Sequence, residues 1–183
     1  MSDRNRFTVA VIRGDGIGVD VVDAALAVVE AARRRVGGFA LDFDDLAAGA
    51  GLFRETGRDM APGAEAAAAA ADAIFLGAIG LPSVRHPDGT EIAPHLRLRE
   101  IFQLYAGVRP IKAYPNTPRR LADPRAASID LVVLRESTEG LFYSAAVHNR
   151  DTVANDSEVQ DVLRITRATT EKLHDFACRL ARR

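Results

Sequence analysis

The stretch Phe-Thr-Val-Ala-Val-Ile-Arg-Gly-Asp-Gly-Ile-Gly, residues 7–18, decides the fold. Residues 7–12 form a short apolar run rich in β-branched side chains, which is typical of a buried parallel strand. A glycine-rich turn follows at residues 14–18, and residues 19–35 then show helical periodicity. This order of strand, glycine turn and helix directs backbone N–H groups at an anion. The sequence therefore predicts an α/β fold that begins with a parallel-sheet unit.

The spacing of the glycines leaves two interpretations of this turn open. The pattern is G-x-G-x-G, whereas the dinucleotide-binding fingerprint is G-x-G-x-x-G. The turn either lies against a cofactor or is a tight strand-to-helix connection that needs glycine backbone angles. Spacing alone does not choose between them.

The rest of the chain also alternates between strand-like and helix-like patterns. Residues 141–156 have polar ends and short β-like runs, which predicts an extended arm. We expect the strand at residues 129–134 to be buried, and Pro62 and Pro94 to lie in first helical turns. The other predicted strands cover residues 39–43, 72–76 and 104–112, and the predicted helices cover residues 61–71, 92–102 and 158–182.

Composition excludes several classes of function. The chain has 183 residues, a net charge of −1 and 48% hydrophobic residues, so we expect neither nucleic acid nor a membrane as partner. Cys178 is the only cysteine, which excludes an internal disulfide and a cysteine metal cluster. The charged N-terminus lacks a long apolar run, and we expect a cytoplasmic protein.

Three arginines stand out as candidate binding residues. They are Arg99 in Leu-Arg-Leu-Arg-Glu, Arg109 in Gly-Val-Arg-Pro and Arg135 in Leu-Arg-Glu-Ser-Thr-Glu-Gly. A guanidinium presents a rigid fork of donors that matches a carboxylate, so three together would hold a small polyacid. Each alone is more simply a solvated surface charge. Arg97 lies two positions before Arg99 and should therefore face another side of the helix.

Taken in order, these motifs resemble the isocitrate/isopropylmalate dehydrogenase family, and most of all its isopropylmalate and tartrate dehydrogenase-like members. The matching stretches are residues 11–18, 72–80, 96–100, 104–112 and 131–140. The resemblance implies an incomplete family fold, with part of a large cofactor-side lobe at residues 1–103. Part of a second, dimerisation lobe would follow at residues 104–183, with the arm near residues 141–156. It also implies a homodimer that uses NAD or NADP, together with Mg²⁺ or Mn²⁺ whose ligands lie outside this chain.

The same resemblance assigns roles to individual residues. The family tyrosine falls on Phe142, which cannot donate a proton. Either Tyr143, one place later, is re-aimed by a local backbone shift and is the candidate catalytic acid, or another acid takes this role. No metal ligand is assigned. The substrate-binding residues implied are Arg99, Arg109, Arg135, His95 and Leu96, and the cofactor-binding residues are Gly14, Asp15, Gly16, Ile17, Gly18 and Thr90.

The implied function is NAD(P)-dependent oxidation and decarboxylation of a malate-type 2-hydroxy acid, with an isopropylmalate-like substrate favoured. We expect this chain to be the N-terminal half of such an enzyme and to be inactive alone. The alternative is a non-catalytic or regulatory relative that binds a small dicarboxylate. The glycine spacing and the three arginines argue against a third possibility, a plain doubly wound nucleotide-binding domain.

Overall fold

The structure is a computed structural model that describes residues 5–118, 120–145 and 150–182. It contains two compact units, Met1–His95 and Leu96–Arg183. Within the described residues, no helix is both long and apolar enough to cross a membrane. The predicted lobe boundary after residue 103 stays a prediction.

Unit 1, Met1–His95, is built on a parallel three-stranded sheet with helices, as the sequence predicts. The central strand β1 (Arg6–Ile12) lies between β2 (Ala40–Asp45) and β3 (Ala73–Leu76), in the order β2-β1-β3. The glycine turn connects β1 directly to α1 (Ile17–Val36), the longest helix in the described residues. The elements are β1 (Arg6–Ile12), α1 (Ile17–Val36), β2 (Ala40–Asp45), α2 (Ala50–Thr56), α3 (Ala64–Ala70) and β3 (Ala73–Leu76).

The core of unit 1 lies at the end of β1 that leads into the glycine turn. Ala10, Val11 and Ile12 are fully buried, and Val22 of α1 packs there at 1% exposure. Burial of a Val or Ile side chain is worth about 1.5–3 kcal/mol, so this end of the strand is the firmly held one. The turn that follows therefore starts from a fixed position.

Unit 2, Leu96–Arg183, contains two antiparallel pairs of strands and a long C-terminal helix. The helix α4 begins two residues before the unit, and Pro94 occupies its first position as predicted. The elements are α4 (Pro94–Ile101), β4 (Ala106–Lys112), a 3₁₀ turn (Pro124–Ser128), β5 (Asp130–Glu136), α5 (Phe142–Ala145), β6 (Val153–Ala154), β7 (Val159–Gln160) and α6 (Arg167–Ala181).

The prediction of a buried strand at residues 129–134 is wrong. Leu131, Val132 and Val133 of β5 are 47, 45 and 43% exposed. Among the described residues β5 pairs only with β4, and a two-stranded ribbon cannot cover both of its own faces. The apolar run therefore identified a strand correctly but not its burial.

Three helix predictions need correction. The last helix begins at Arg167 rather than residue 158, because Thr166 caps it by accepting a hydrogen bond from the Thr169 N–H. Pro62 lies before α3 rather than in its first turn. The short helix α2 was not predicted. Of the predicted extended arm, residues 146–149 lie outside the described residues; Phe142–Ala145 forms the helix α5 and is therefore not extended, and Val153–Ala154 forms the strand β6.

Candidate functional site

The ribbon of β4 and β5 places two of the three arginines on one face. Gly107 lies directly opposite Arg135, and Arg109 is two residues beyond Gly107 on the same strand. Directly opposed residues and residues two apart share a face of a sheet, so both guanidinium groups leave the ribbon on one side. A Cβ at Gly107 would lie 2.9 Å from the Ser137 Oγ and 3.7 Å from the Arg135 Cβ. Gly107 therefore leaves room beside Arg135.

Arg99 of α4 joins these two arginines. Burial lowers the pKa of its guanidinium, and the positive charges of Arg135 and then Arg109 lower it further. Arginine remains protonated at neutral pH even so, so three like charges stand close together. Arg97 is about 200° away from Arg99 around the same helix, which follows from 100° per residue. The structure thus brings together the three arginines that the sequence predicted.

Two arginines of this cluster, Arg99 and Arg135, contact an aromatic ring and not a carboxylate. The Phe142 ring centroid is 5.5 Å from the Arg99 Cζ and 4.9 Å from the Arg135 Cζ. Within the described part of the chain, no ion pair links Arg99, Arg109 or Arg135 to an acidic side chain. Guanidinium groups within about 6 Å of a ring centroid are attracted to the ring face. The ring therefore holds Arg99 and Arg135 in place, and all three charges are left available to an anion.

The acidic residues of the Arg-Glu-Ser-Thr-Glu-Gly motif are used within the chain. The Glu136 carboxylate accepts hydrogen bonds from the Thr138 N–H and hydroxyl, at 2.7 and 2.6 Å, and from the Glu139 N–H. The Glu139 carboxylate accepts bonds from the Thr166 N–H and hydroxyl, both at 2.7 Å, and from the Thr169 hydroxyl. These bonds fix the turn after Arg135 to the start of α6.

The hydrogen bonds to Glu139 also change its acidity. Burial raises the pKa of this carboxyl, but the bonds from Thr166 and Thr169 and the positive charge of Arg164 lower it by more. The net effect is a pKa below the ordinary value, so Glu139 is ionised at neutral pH. It thereby remains a strong acceptor for the N-terminus of α6.

Tyr143, the candidate acid, is held away from the arginine cluster in its observed contacts. Its hydroxyl donates to the Asp151 carboxylate at 2.8 Å, and its ring lies 4.7 Å from the Arg150 Cζ and 4.9 Å from the Arg164 Cζ. Phe142, its neighbour in α5, is the ring that faces Arg99 and Arg135. The role of Tyr143 as an acid stays a prediction that these contacts do not support.

Two further predicted substrate residues lie on the helix that carries Arg99. His95 and Leu96 are half-buried, in the first turn of α4. His95 is four residues before Arg99, which places the two on the same side of the helix. Their contact with a substrate stays a prediction.

A cavity of about 540 Å³ adjoins the cluster within unit 2. Arg135 and Phe142 line it, together with the apolar side chains of Leu141, Ile165 and Leu173. Neither Ile165 nor Leu173 could be identified as a cavity residue from sequence, because an apolar pattern indicates burial and not the position of a cavity.

The glycine turn of unit 1 is explained in large part by packing. A Cβ at Gly14 would lie 2.0 Å from the Ala78 carbonyl oxygen, and one at Gly18 would lie 2.5 Å from the same atom. A Cβ at Gly77 would lie 2.1 Å from the Arg13 carbonyl oxygen. Contacts this short exclude any side chain. Gly14, Gly18 and Gly77 thus let the turn after β1 touch the turn after β3.

Asp15 ties three loops of unit 1 together. Asp15 is 7% exposed, and its carboxylate accepts hydrogen bonds from the N–H groups of Ala50, Gly51 and Gly80, at 2.8, 2.7 and 2.8 Å. The carboxylate therefore holds the start of α2 and the turn after β3 against the glycine turn. Gly49 also approaches it so closely that a Cβ would lie 2.5 Å from the carboxylate.

The remaining predicted cofactor residues have accessible positions. Gly16 has a positive φ of 51° and precedes α1, and Ile17 is 70% exposed at the start of that helix. Thr90 is exposed, and its N–H and hydroxyl both donate to the Asp88 carboxylate. Gly16 and Ile17 are thus the exposed residues of the turn, whereas Gly14 is half-buried. In the described ranges no group of three His, Cys, Asp or Glu side chains could hold a metal ion.

Comparison with known proteins agrees with this architecture. The chain is 32% identical to a tartrate dehydrogenase/decarboxylase of Pseudomonas putida, covering 96% of this chain and 48% of the relative. It is 33% identical to a 3-isopropylmalate dehydrogenase of Heyndrickxia coagulans, with the same coverage. A crystal structure of isocitrate dehydrogenase from Methylococcus capsulatus matches 97% of this chain and 49% of its own, with TM-score 0.73 and 28% identity.

The chain thus spans about half the length of the relatives it matches. The family model described as isocitrate/isopropylmalate dehydrogenase matches residues 8–183. The ordered motifs, between residues 11 and 140, all lie within this range. The chain therefore belongs to the isocitrate/isopropylmalate dehydrogenase family.

Proposed function

We propose that Arg99, Arg109 and Arg135 bind the carboxylates of a malate-type 2-hydroxy acid, and that the protein takes part in the oxidation and decarboxylation of this acid with NAD or NADP. The observation that carries the proposal is the grouping of three guanidinium groups without an acidic partner in the described structure. Such a group costs energy through mutual repulsion, and a dianion removes that cost.

The chemistry of this proposal divides between the chain and the groups it would bind. When bound, a nicotinamide cofactor would supply hydride acceptance and a divalent metal ion would supply stabilisation of negative charge on oxygen. The arginine cluster contributes orientation, because bidentate contacts fix each carboxylate in position and in plane. The described residues contain no metal-binding group of the required kind, so we assign the arginines a role in binding only.

The cofactor proposal is confined to a small part of unit 1. Gly16 and Ile17 are accessible at the N-terminus of the 20-residue helix α1, where partial positive charge favours a phosphate or carboxamide oxygen. Thr90 is a third accessible residue, with its hydroxyl held by Asp88.

The proposed substrate is a dicarboxylate with an apolar substituent, such as 3-isopropylmalate. The apolar cavity beside Arg135 and Phe142 supports this preference, as does Leu96 on the helix that carries Arg99. Relatives of this chain are named for isopropylmalate, tartrate and D-malate, which all carry two carboxylates. We further propose that the functional protein is a homodimer and that residues 141–156 contribute to its interface.

The test is calorimetric titration of the 183-residue chain with malate, tartrate and 3-isopropylmalate, with acetate as a one-carboxylate control. Arg135→Ala should weaken dicarboxylate binding by about tenfold or more, since charge-assisted hydrogen bonds are worth about 1.5–3 kcal/mol. The matched control is Arg125→Ala, because Arg125 is an exposed arginine of unit 2 already paired with Asp123. It should bind as the unchanged chain does.

Two results would contradict this reasoning. Equal affinity for acetate and malate would show that the arginines do not act together, and unchanged binding by Arg135→Ala would place the site elsewhere. NAD(P) reduction is measured in parallel with Mg²⁺ or Mn²⁺, and we expect no turnover by the 183-residue chain. Dicarboxylate binding combined with no reduction by a longer form of the protein would favour the binding-only relative instead.

A further inference from the structure

We propose that Phe142 is a positioning residue for the proposed substrate site: its ring holds the guanidinium groups of Arg99 and Arg135 at a fixed spacing without neutralising them. The inference rests on the proposed function and adds a residue for which the family resemblance gave no positive role. The supporting geometry is the pair of ring contacts, 5.5 Å to Arg99 and 4.9 Å to Arg135.

The physical advantage of a ring over a carboxylate is that it does not compete with the substrate. An acidic side chain between Arg99 and Arg135 would hold them strongly, but an incoming dianion would have to displace it. An aromatic ring attracts a cation through its quadrupole and carries no net charge. The guanidinium groups are therefore ordered in advance, and their hydrogen-bond donors and full charge remain for the ligand.

The ring itself is held in place by the turn that precedes it. The Phe142 N–H donates to the Glu139 carbonyl oxygen at 3.3 Å, and the Glu139 side chain is bonded to Thr166 at the start of α6. Gly140, within this turn, has a positive φ of 69°, which glycine adopts without strain. The position of the ring is thus fixed by the same turn that follows Arg135.

The neighbouring residue shows that the assignment is specific to Phe142. Tyr143 also lies against two arginines, but these are Arg150 and Arg164. Arg150 is further paired with Glu100, and the Tyr143 hydroxyl is bonded to Asp151. Consecutive rings of α5 therefore serve two different pairs of arginines, of which only the pair at Phe142 belongs to the proposed site.

The experiment replaces Phe142 while keeping or removing its ring. Phe142→Leu should weaken malate binding in calorimetry by roughly fivefold to tenfold, because two long side chains must then be ordered on binding. Phe142→Tyr should bind within about twofold of the unchanged chain, since it keeps a ring face of similar strength. Phe53→Leu is the matched control, as Phe53 is a half-buried phenylalanine of unit 1 that contacts His86; it should leave binding unchanged.

A second variant separates the electrostatic effect of the ring face from the shape of the ring. Phe142→trifluorophenylalanine keeps the size of the ring but removes the negative character of its face, and should weaken malate binding by roughly threefold or more. Side-chain NMR should show the Arg99 and Arg135 Nε–H signals shifted by the ring current in the unchanged chain and in Phe142→Tyr. This measurement does not depend on a ligand, and it remains available if Phe142→Leu fails to fold.

The outcomes distinguish this inference from the function on which it rests. Malate binding that is unchanged in both the leucine and the fluorinated variants overturns the role of the ring but leaves the arginine site standing. Loss of binding in Phe142→Leu and Phe142→Tyr alike also overturns it, since the ring would then not be the cause. Failure of the unchanged chain to bind any dicarboxylate overturns the proposed function, and the role of Phe142 in that site with it.

Discussion

Replacing Asp15 should destabilise unit 1 more than any other single acidic substitution there. The carboxylate is 7% exposed and accepts three backbone hydrogen bonds, from Ala50, Gly51 and Gly80. Asp15→Ala would remove the acceptor of these three amide donors, while the fold would still hold the donors in the same positions. The substitution therefore tests whether this residue works mainly as a structural acceptor.

The magnitude can be worked from the burial of each donor. A fully buried donor left unsatisfied costs about 1–3 kcal/mol, and the bond from Ala50 is the buried one. The bonds from Gly51 and Gly80 are part-buried, so water can replace some of what is lost. Together these give a loss of about 3–5 kcal/mol, a large share of the 5–15 kcal/mol typical of a domain.

Asp15→Asn should cost less, about 1–3 kcal/mol. Its amide oxygen can take the position of Oδ2, which accepts from both Ala50 and Gly80, and its NH₂ group then faces only the Gly51 N–H. The order of stability expected is therefore Asp first, Asn second and Ala last. Asp44→Ala is the control, since Asp44 is exposed on β2.

The assay is urea unfolding followed by two probes. Far-UV circular dichroism reports both units, whereas tyrosine fluorescence reports unit 2 alone, because Tyr105, Tyr114 and Tyr143 all lie there and the chain has no tryptophan. The Asp15 variants should lower the midpoint seen by circular dichroism. Equal stability of Asp15→Ala and Asp44→Ala would refute the reasoning, because it would mean that the three amides find other acceptors at no cost.

Two further predictions concern backbone contact and pH. Gly77→Ala should lower thermal stability by several degrees or prevent folding, because its Cβ would lie 2.1 Å from the Arg13 carbonyl oxygen; a melting temperature equal to that of the unchanged chain would contradict this. The lowered pKa of Glu139 means that its bonds to Thr166 and Thr169 add stability above the ordinary carboxyl pKa, and that this is lost as pH falls through the folded pKa. Glu139→Gln should therefore reduce stability at neutral pH and flatten its decline toward acid in pH-dependent melts, whereas a parallel decline would count against the assignment.

The sequence predicted strands and longer helices correctly where a single apolar pattern ran along the whole length of the element. It identified β1 and α1 because both patterns are long and the glycine turn separates them. It missed α2 because seven residues are too few to show a helical period, and α2 lacks the alanine run that marks the equally short α3. It placed the start of α6 too early because Val159 and Val162 continue the apolar spacing, although Thr166 is a recognisable cap.

For the candidate site, motif context predicted which residues are involved but not how they are arranged. The three arginines were found by their motifs, but their grouping depends on the pairing of β4 with β5, which no local pattern specifies. The sequence shows Phe142 as a departure from the family tyrosine. It does not show the contact of its ring with Arg99 and Arg135, because the direction of a side chain in a four-residue helix does not follow from sequence. The motif context predicts a cofactor role for Asp15. Its burial could not be predicted, because it depends on residues that are distant in sequence, such as Ala50 and Gly80.

The carboxylate of Asp15 should also limit local opening of the segments that it joins. Backbone amides in turns and in the first turn of a helix usually exchange their hydrogens with solvent quickly, since small local openings expose them. The amides of Ala50 and Gly51 at the start of α2, and of Gly80 in the turn after β3, are instead bound to a buried acceptor, and to release one the others must be disturbed. In a hydrogen-exchange experiment these three amides should therefore be protected as strongly as those of β1 and exchange on the timescale of the core.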